Sequence, residues 1–284
     1  MTTITLKNNL PAVRISNDTH TCEIYQHGAH VSSWRVNSTG EELLFCSTEA
    51  IFDGSKAIRG GIPICFPQFS DLGPCDAQHG FARNSHWDVK ALSATEVTLQ
   101  LESSAVSAKL SKGFSGTYAL EYIVTLDGER LRTTLRVQNI SKDTSMEFTT
   151  ALHTYFAVEE CTQSVVRGLL GTTYLDNLQQ RIAKLDEDEC VRFNGEVDRI
   201  YKSTADVLVI EDEARGRKFK IEKTSTLPDA VVWNPWIEKA AKMGDFGNEE
   251  YHSMVCVEVA NVQGAVVPAG GSWEASQLIS CVLS

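Results

Sequence analysis

The segment Leu131-Arg132-Thr133-Thr134-Leu135-Arg136-Val137 alternates apolar and polar residues, the period of a strand with one buried face. Residues 118–126 precede it across Asp127-Gly128-Glu129-Arg130, which marks a hairpin. Val207-Leu208-Val209-Ile210 and Phe219-Lys220-Ile221-Glu222 form a second pair across the charged turn 211–218 with its Gly216. Residues 96–101 alternate in the same way. Helical signals are few. Residues 234–242 offer Asn at N-cap, Pro at N1 and Gly244 just beyond, and 175–185 reads as a second short helix. No internal repeat and no Pro/Gly/Ser linker interrupts the pattern. The expectation is an all-β chain: one large antiparallel β-sandwich domain over residues 1–284, with a few short helices and loops that carry function.

A net charge of −11 argues against a broad nucleic-acid or anionic-membrane surface, although a few arginines in one cleft can still grip a small anion. No run of about 18 apolar residues predicts a membrane helix. Residues 1–7 lack the features of a secretory signal, so a cytoplasmic location is expected. The eight cysteines form no CxxC pair, and Cys46, Cys65, Cys256 and Cys281 sit in apolar stretches; free thiols are expected. The C-terminal Cys281-Val282-Leu283-Ser284 fits a prenylation pattern. No polybasic stretch precedes it, and residues 276–283 read as a final strand that would hide the cysteine.

Four stretches carry candidate chemistry. Arg59-Gly60-Gly61-Ile62-Pro63 leads into Phe66-Pro67-Gln68, a stiffened loop headed by an arginine that can hold an anion or simply face solvent. Gln78-His79-Gly80-Phe81-Ala82-Arg83 offers an amide, an imidazole and a guanidinium, which suit sugar hydroxyls and phosphate or equally an arginine paired with an acid and a histidine on a loop. His79 and His86 lack a third ligand at diagnostic spacing, so no metal is expected. In Phe148-Thr149-Thr150-Ala151-Leu152-His153-Thr154-Tyr155-Phe156, read as a strand, Phe148, Leu152 and Phe156 face the core. Ala151, His153 and Tyr155 share the other face, and an imidazole there can move protons near neutrality or simply be a buried, hydrogen-bonded histidine, which the strand pattern alone slightly favours. In Met254-Val255-Cys256-Val257-Glu258-Val259-Ala260, three valines form one face and Glu258 stands between small residues on the other. A carboxylate in that setting costs stability unless it is paired or useful. Trp233 and Trp236 flank Asn234-Pro235 and could pack on a sugar ring or in the core.

Taken together and in order, these motifs, with Val231-Val232-Trp233-Asn234-Pro235, resemble the aldose 1-epimerase superfamily, and within it the glucose-6-phosphate 1-epimerase (hexose-6-phosphate mutarotase) branch. The similarity runs from about residue 20 to the C-terminus. It implies a galactose mutarotase-like β-supersandwich with an open cleft, and catalysis by one His and one Glu without cofactor or metal. By motif these are His153 and Glu258. Arg59, Gln78, His79, Arg83, Asp198 and Trp233 are then substrate-binding, with Arg59 and Arg83 on the phosphate. The implied ligand is a hexose 6-phosphate, with no nucleic-acid or membrane partner, and a monomer is expected.

On this reading Glu258 takes the proton of the C1 hydroxyl while His153 donates to the ring oxygen. Both target atoms are bonded to C1, so the two side chains should lie within roughly 5–8 Å. A free aldose is the alternative substrate. A non-catalytic sugar-binding module would not need both residues, and a glycoside hydrolase would need a second carboxylate where a histidine stands.

Overall fold

The computed structural model describes residues 3–5 and 7–283. Among these residues strands dominate and pair antiparallel in three sheets of four, eight and nine strands. The four-stranded sheet is a meander of Thr3–Thr5, Pro11–Ser16, His20–Tyr25 and His30–Val36. In the nine-stranded sheet the expected hairpin is Tyr118–Asp127 with Arg130–Asn139, closed by Gly128 and Glu129. Its first strand alternates buried and half-buried along its whole length, as its sequence requires. The second expected pair is Val207–Asp212 with Arg217–Lys223, and Glu96–Glu102 lies further along the sheet. The last strand, Ser272–Leu283, pairs along Arg217–Lys223 and places Cys281 opposite Phe219.

The central strands of the eight-stranded sheet are buried on both faces. Asp229–Asn234 is buried throughout, and so is Met254–Val267 from Met254 to Val262. One face adds Leu152, Phe156, Val232, Val255, Val257 and Val259 to the main core, which also takes Trp34, Tyr122, Leu135 and Phe219 from the other sheets. Each such aliphatic side chain stabilises the fold by about 1.5–3 kcal/mol. The opposite face carries a smaller cluster of Cys65, Phe69, Ala151, Ile200, Val231, Ala260 and Val262. A strand buried on both sides cannot show simple apolar–polar alternation, so a polar group on its second face is the informative exception.

Two expectations are corrected. Residues 175–185 form no helix: Thr173–Asp176 and Ile182–Leu185 make a hairpin around the 3₁₀ turn Asn177–Gln179. Local turn chemistry outweighs helix propensity there. The Asp176 carboxylate accepts the Leu178 N–H, and Gln180 and Arg181 are both left-handed. The other helix is shorter than expected, Trp236–Ala240, because Asn234 completes a strand instead of standing outside it. Its amide is buried, donating to the carbonyls of Tyr251 and Met254 while accepting the Trp236 N–H. No disulfide joins the eight cysteines. Among the described residues no helix is long and apolar enough to cross a membrane.

Candidate active site

The second face of the eight-stranded sheet forms the floor of a pocket of about 250 Å³. Two short strands, Met146–Leu152 and Tyr155–Ala157, pair with the same neighbour, Met254–Val267. Leu152 pairs with Val259 on one side of the break and Tyr155 with Cys256 on the other, a single register that sets His153 opposite Glu258. Side chains of directly opposed residues share a face. His153 Nε2 and Glu258 Oε1 are 3.4 Å apart. This is closer than the reach argument's roughly 5–8 Å, because Cβ atoms of a cross-strand pair already stand about 4.5–5.5 Å apart.

Both groups are deeply set, His153 7% and Glu258 1% exposed, yet both line the pocket. Burial pushes the Glu258 carboxyl well above its ordinary range; Asp198 adds to the rise and Arg83 opposes it. Burial, then Arg83 and Arg59, hold the His153 imidazole well below its ordinary value. Each group alone therefore favours its neutral form, the direction expected of charges taken out of water. Glu258 Oε2, His153 Nδ1 and Arg83 Nε are buried polar atoms without a partner, and all three belong to pocket-lining residues.

The loop carrying Arg59 runs beside this pair. Gly61, with φ +59, approaches so closely that an added Cβ would stand 2.1 Å from the Val31 carbonyl. Arg59 is fixed by Asp245, Nε to Oδ1 at 3.2 Å and NH2 to Oδ2 at 3.4 Å, and its NH1 donates to the Tyr155 hydroxyl at 3.2 Å. Asp245 is shared with Lys56 at 2.9 Å. Arg83 is different: its NH2 donates to the Gln78 carbonyl at 3.0 Å, and among the described residues it has no carboxylate partner. A half-buried guanidinium without a counter-ion is a strong site for an anion.

His79 has left-handed backbone, φ 64, which brings its ring to the pocket. Its Nδ1 accepts the Ser70 N–H at 3.1 Å, so its proton sits on Nε2, free to donate to a ligand. His86 takes no part; it is exposed and faces Asp88. Gln78 lies at the rim. Asp198 accepts from Asn177 at 2.5 Å and from Lys239 at 3.4 Å, and Trp233 presents its ring between them and the imidazole, 6.0 Å from His153. Thus all eight sequence-predicted site residues line one pocket. Trp236 lies outside it, packing on Tyr251.

Sequence reasoning missed Tyr155, Lys239, Asn177 and Asp245. Tyr155 shares the face of His153 by simple alternation, a signal that could have found it. Lys239 sits on the short helix, and nothing local tells which helical lysine turns toward a cleft. The arrangement offers a proton donor–acceptor pair at its floor, an aromatic wall, hydroxyl-binding amides and two guanidiniums.

Known proteins resemble the chain along most of its length. The aldose 1-epimerase family model matches residues 11–280. A protein of Cenchrus ciliaris, provisionally named glucose-6-phosphate 1-epimerase, is 39% identical over 274 residues, covering 92% of this chain and 82% of that protein. One of Escherichia coli K12 with the same provisional name is 34% identical, covering 82% and 77%. The crystal structure of a provisionally assigned mutarotase (YeaD) from Salmonella typhimurium superposes with a TM-score of 0.84 at 25% identity, covering 100% of this chain and 97% of that one.

Proposed function

The chain belongs to the aldose 1-epimerase family, and on that footing we propose that it interconverts the α and β anomers of a hexose 6-phosphate, glucose 6-phosphate foremost. The observation that carries the proposal is the opposed pair His153–Glu258 at the floor of a pocket that also holds Arg59 and Arg83, the latter in no salt bridge among the described residues.

Opening a pyranose ring requires one group that takes a proton from the C1 hydroxyl and one that gives a proton to the ring oxygen. The pair works with one proton between its two members. Burial favours that proton on Glu258 in the free pocket, and its transfer across the 3.4 Å contact yields a carboxylate base and an imidazolium acid. Glu258 then removes the hydroxyl proton while His153 protonates the ring oxygen as the C1–O5 bond breaks. Rotation about C1–C2 and closure on the other carbonyl face reverse both roles. Each transfer contributes on the order of 10²–10⁴-fold. The Trp233 ring supports the apolar face of the sugar, and His79, Gln78 and Asp198 bind hydroxyls. Arg83 and Arg59 take the phosphate. The reaction calls for no metal or organic cofactor, and we place the protein in the cytoplasm as a monomer.

Exchange NMR of anomeric protons, with and without protein, tests the proposal on glucose 6-phosphate and free glucose. Anomer exchange should accelerate strongly for the phosphate ester and much less for the free sugar. Equal acceleration of both would overturn the phosphate preference.

A further inference from the structure

The arm that carries Arg59 is fastened along the segment that carries His153. The Tyr155 N–H donates to the Gly61 carbonyl at 2.9 Å, and the His153 N–H donates to the Pro63 carbonyl at 3.0 Å. The side chains repeat the link. Arg59 NH1 donates to the Tyr155 hydroxyl at 3.2 Å, and the Tyr155 ring lies flat on the His153 ring, centroids 4.8 Å apart and planes only 10° apart. Asp245 anchors the far end of the chain, gripping Arg59 through two contacts. The path Asp245–Arg59–Tyr155–His153 therefore joins a guanidinium suited to phosphate to the imidazole that must become an acid.

We propose that the substrate's phosphate switches on the acid: a phosphoryl dianion on Arg59 acts through Tyr155 to move the shared proton from Glu258 to His153. The inference rests on the reading that Arg59 and Arg83 hold phosphate. Two effects have the same sign. Without an anion the two guanidiniums repel positive charge on the imidazole, and a dianion cancels that repulsion. A phosphate also competes with the Tyr155 hydroxyl for the Arg59 donors. This returns electron density to the phenol ring, whose face then better supports a cation stacked on it. The other groups facing His153 do not provide this switch. His79 packs edge-on at 5.5 Å with its Nδ1 held by the Ser70 amide. Trp233 is uncharged, and Asp198 faces Glu258 and is held by Lys239 and Asn177. Tyr155 is thus a positioning residue, and the phosphate group contributes to turnover as well as to affinity.

The experiment separates the sugar from its phosphate. Mutarotation of free glucose is measured against added inorganic phosphite, with the protein-free rate subtracted, and phosphite is also titrated as a competitor of glucose 6-phosphate. Phosphite should raise kcat/KM for glucose saturably, about tenfold or more, with half-effect at the concentration that half-inhibits glucose 6-phosphate turnover. The alkaline limb of the pH profile should move upward with it. Tyr155→Phe keeps the stacked ring and loses the hydroxyl; it should still bind phosphite as a competitor but show several-fold weaker activation. Arg59→Ala should show none. The inference is overturned if phosphite competes with glucose 6-phosphate yet leaves glucose turnover unchanged, or if Tyr155→Phe is activated like the wild type. Failure of phosphite to compete, with glucose 6-phosphate turned over no faster than glucose, would instead overturn the phosphate reading itself.

Discussion

His153, in the two-residue break between Met146–Leu152 and Tyr155–Ala157, stands opposite Glu258 of Met254–Val267, Nε2 to Oε1 at 3.4 Å, because one register continues on both sides of the break and brings the proposed proton-transfer pair together. Residues 105 positions apart in the chain become neighbours because strands on both sides of the break hold it against Met254–Val267. Glu258 sits in a strand packed on both faces and His153 is held between two strands of the same sheet, which fixes the pair more rigidly than a long loop would.

Glu258→Gln keeps shape and volume but cannot carry the proton. Turnover of glucose 6-phosphate should fall by about 10²–10⁴-fold while its Kd stays within a few-fold. Exchange NMR and calorimetric titration read the two quantities separately. Adding His153→Asn should cost far less than the product of the two single losses, because groups acting as a unit are not additive. A multiplicative loss would mean that the residues act independently.

The raised Glu258 carboxyl predicts a pH dependence of stability. The folded chain holds this proton more tightly than the unfolded one. Its stabilisation is complete below the unfolded carboxyl range near pH 4.5 and is lost as pH rises through the higher folded value. Glu258→Gln escapes that loss. Its unfolding free energy relative to the wild type, read from denaturant melts, should therefore climb from pH 5 to pH 8, with a slope approaching roughly 1.4 kcal/mol per pH unit. A constant offset across that range would show that the carboxyl titrates normally.

Arg83→Ala removes the pocket guanidinium that is in no salt bridge among the described residues. A hydrogen bond to a charged group contributes about 1.5–3 kcal/mol, so affinity for glucose 6-phosphate should drop on the order of 10–100-fold. Affinity for free glucose should change much less. Calorimetry with both sugars decides, and equal losses for both would place Arg83 on the sugar ring and not on the phosphate.

Two left-handed glycines should respond differently to alanine. At Gly61, φ +59, a Cβ would stand 2.1 Å from the Val31 carbonyl and 2.7 Å from His30 Nε2. At Gly128, φ +63, it would meet nothing within 4 Å. Gly128→Ala should cost only the backbone strain, about 1 kcal/mol. Gly61→Ala should cost about 3 kcal/mol or more, and should lower activity because the loop it distorts carries Arg59. Denaturant melts of both variants give the comparison; similar midpoints would refute the steric argument.

Much of this site was legible in the chain because strand geometry is strictly local. Alternation alone sorted Val255, Val257 and Val259 from Glu258, and Leu152 and Phe156 from His153, since successive side chains of a strand must point to opposite faces. Motif order then implied which of the outward-facing groups do chemistry. Residues 175–185 were misread because a helix period and a hairpin around an Asp-initiated turn look alike over so few residues.

What local pattern could not supply is which strands lie side by side. Nothing in residues 146–157 specifies pairing with 254–267, or register such that Leu152 meets Val259, because those contacts are selected by packing of the whole sheet. The same holds for Lys239 reaching Asp198 and for Arg59 reaching both Asp245 and Tyr155. The sequence by itself determined the strand-rich class, the face each side chain occupies and the chemical groups available. Only the tertiary structure decided which of those groups touch, since local alternation sets direction within a strand whereas distance between strands depends on the burial of the entire core.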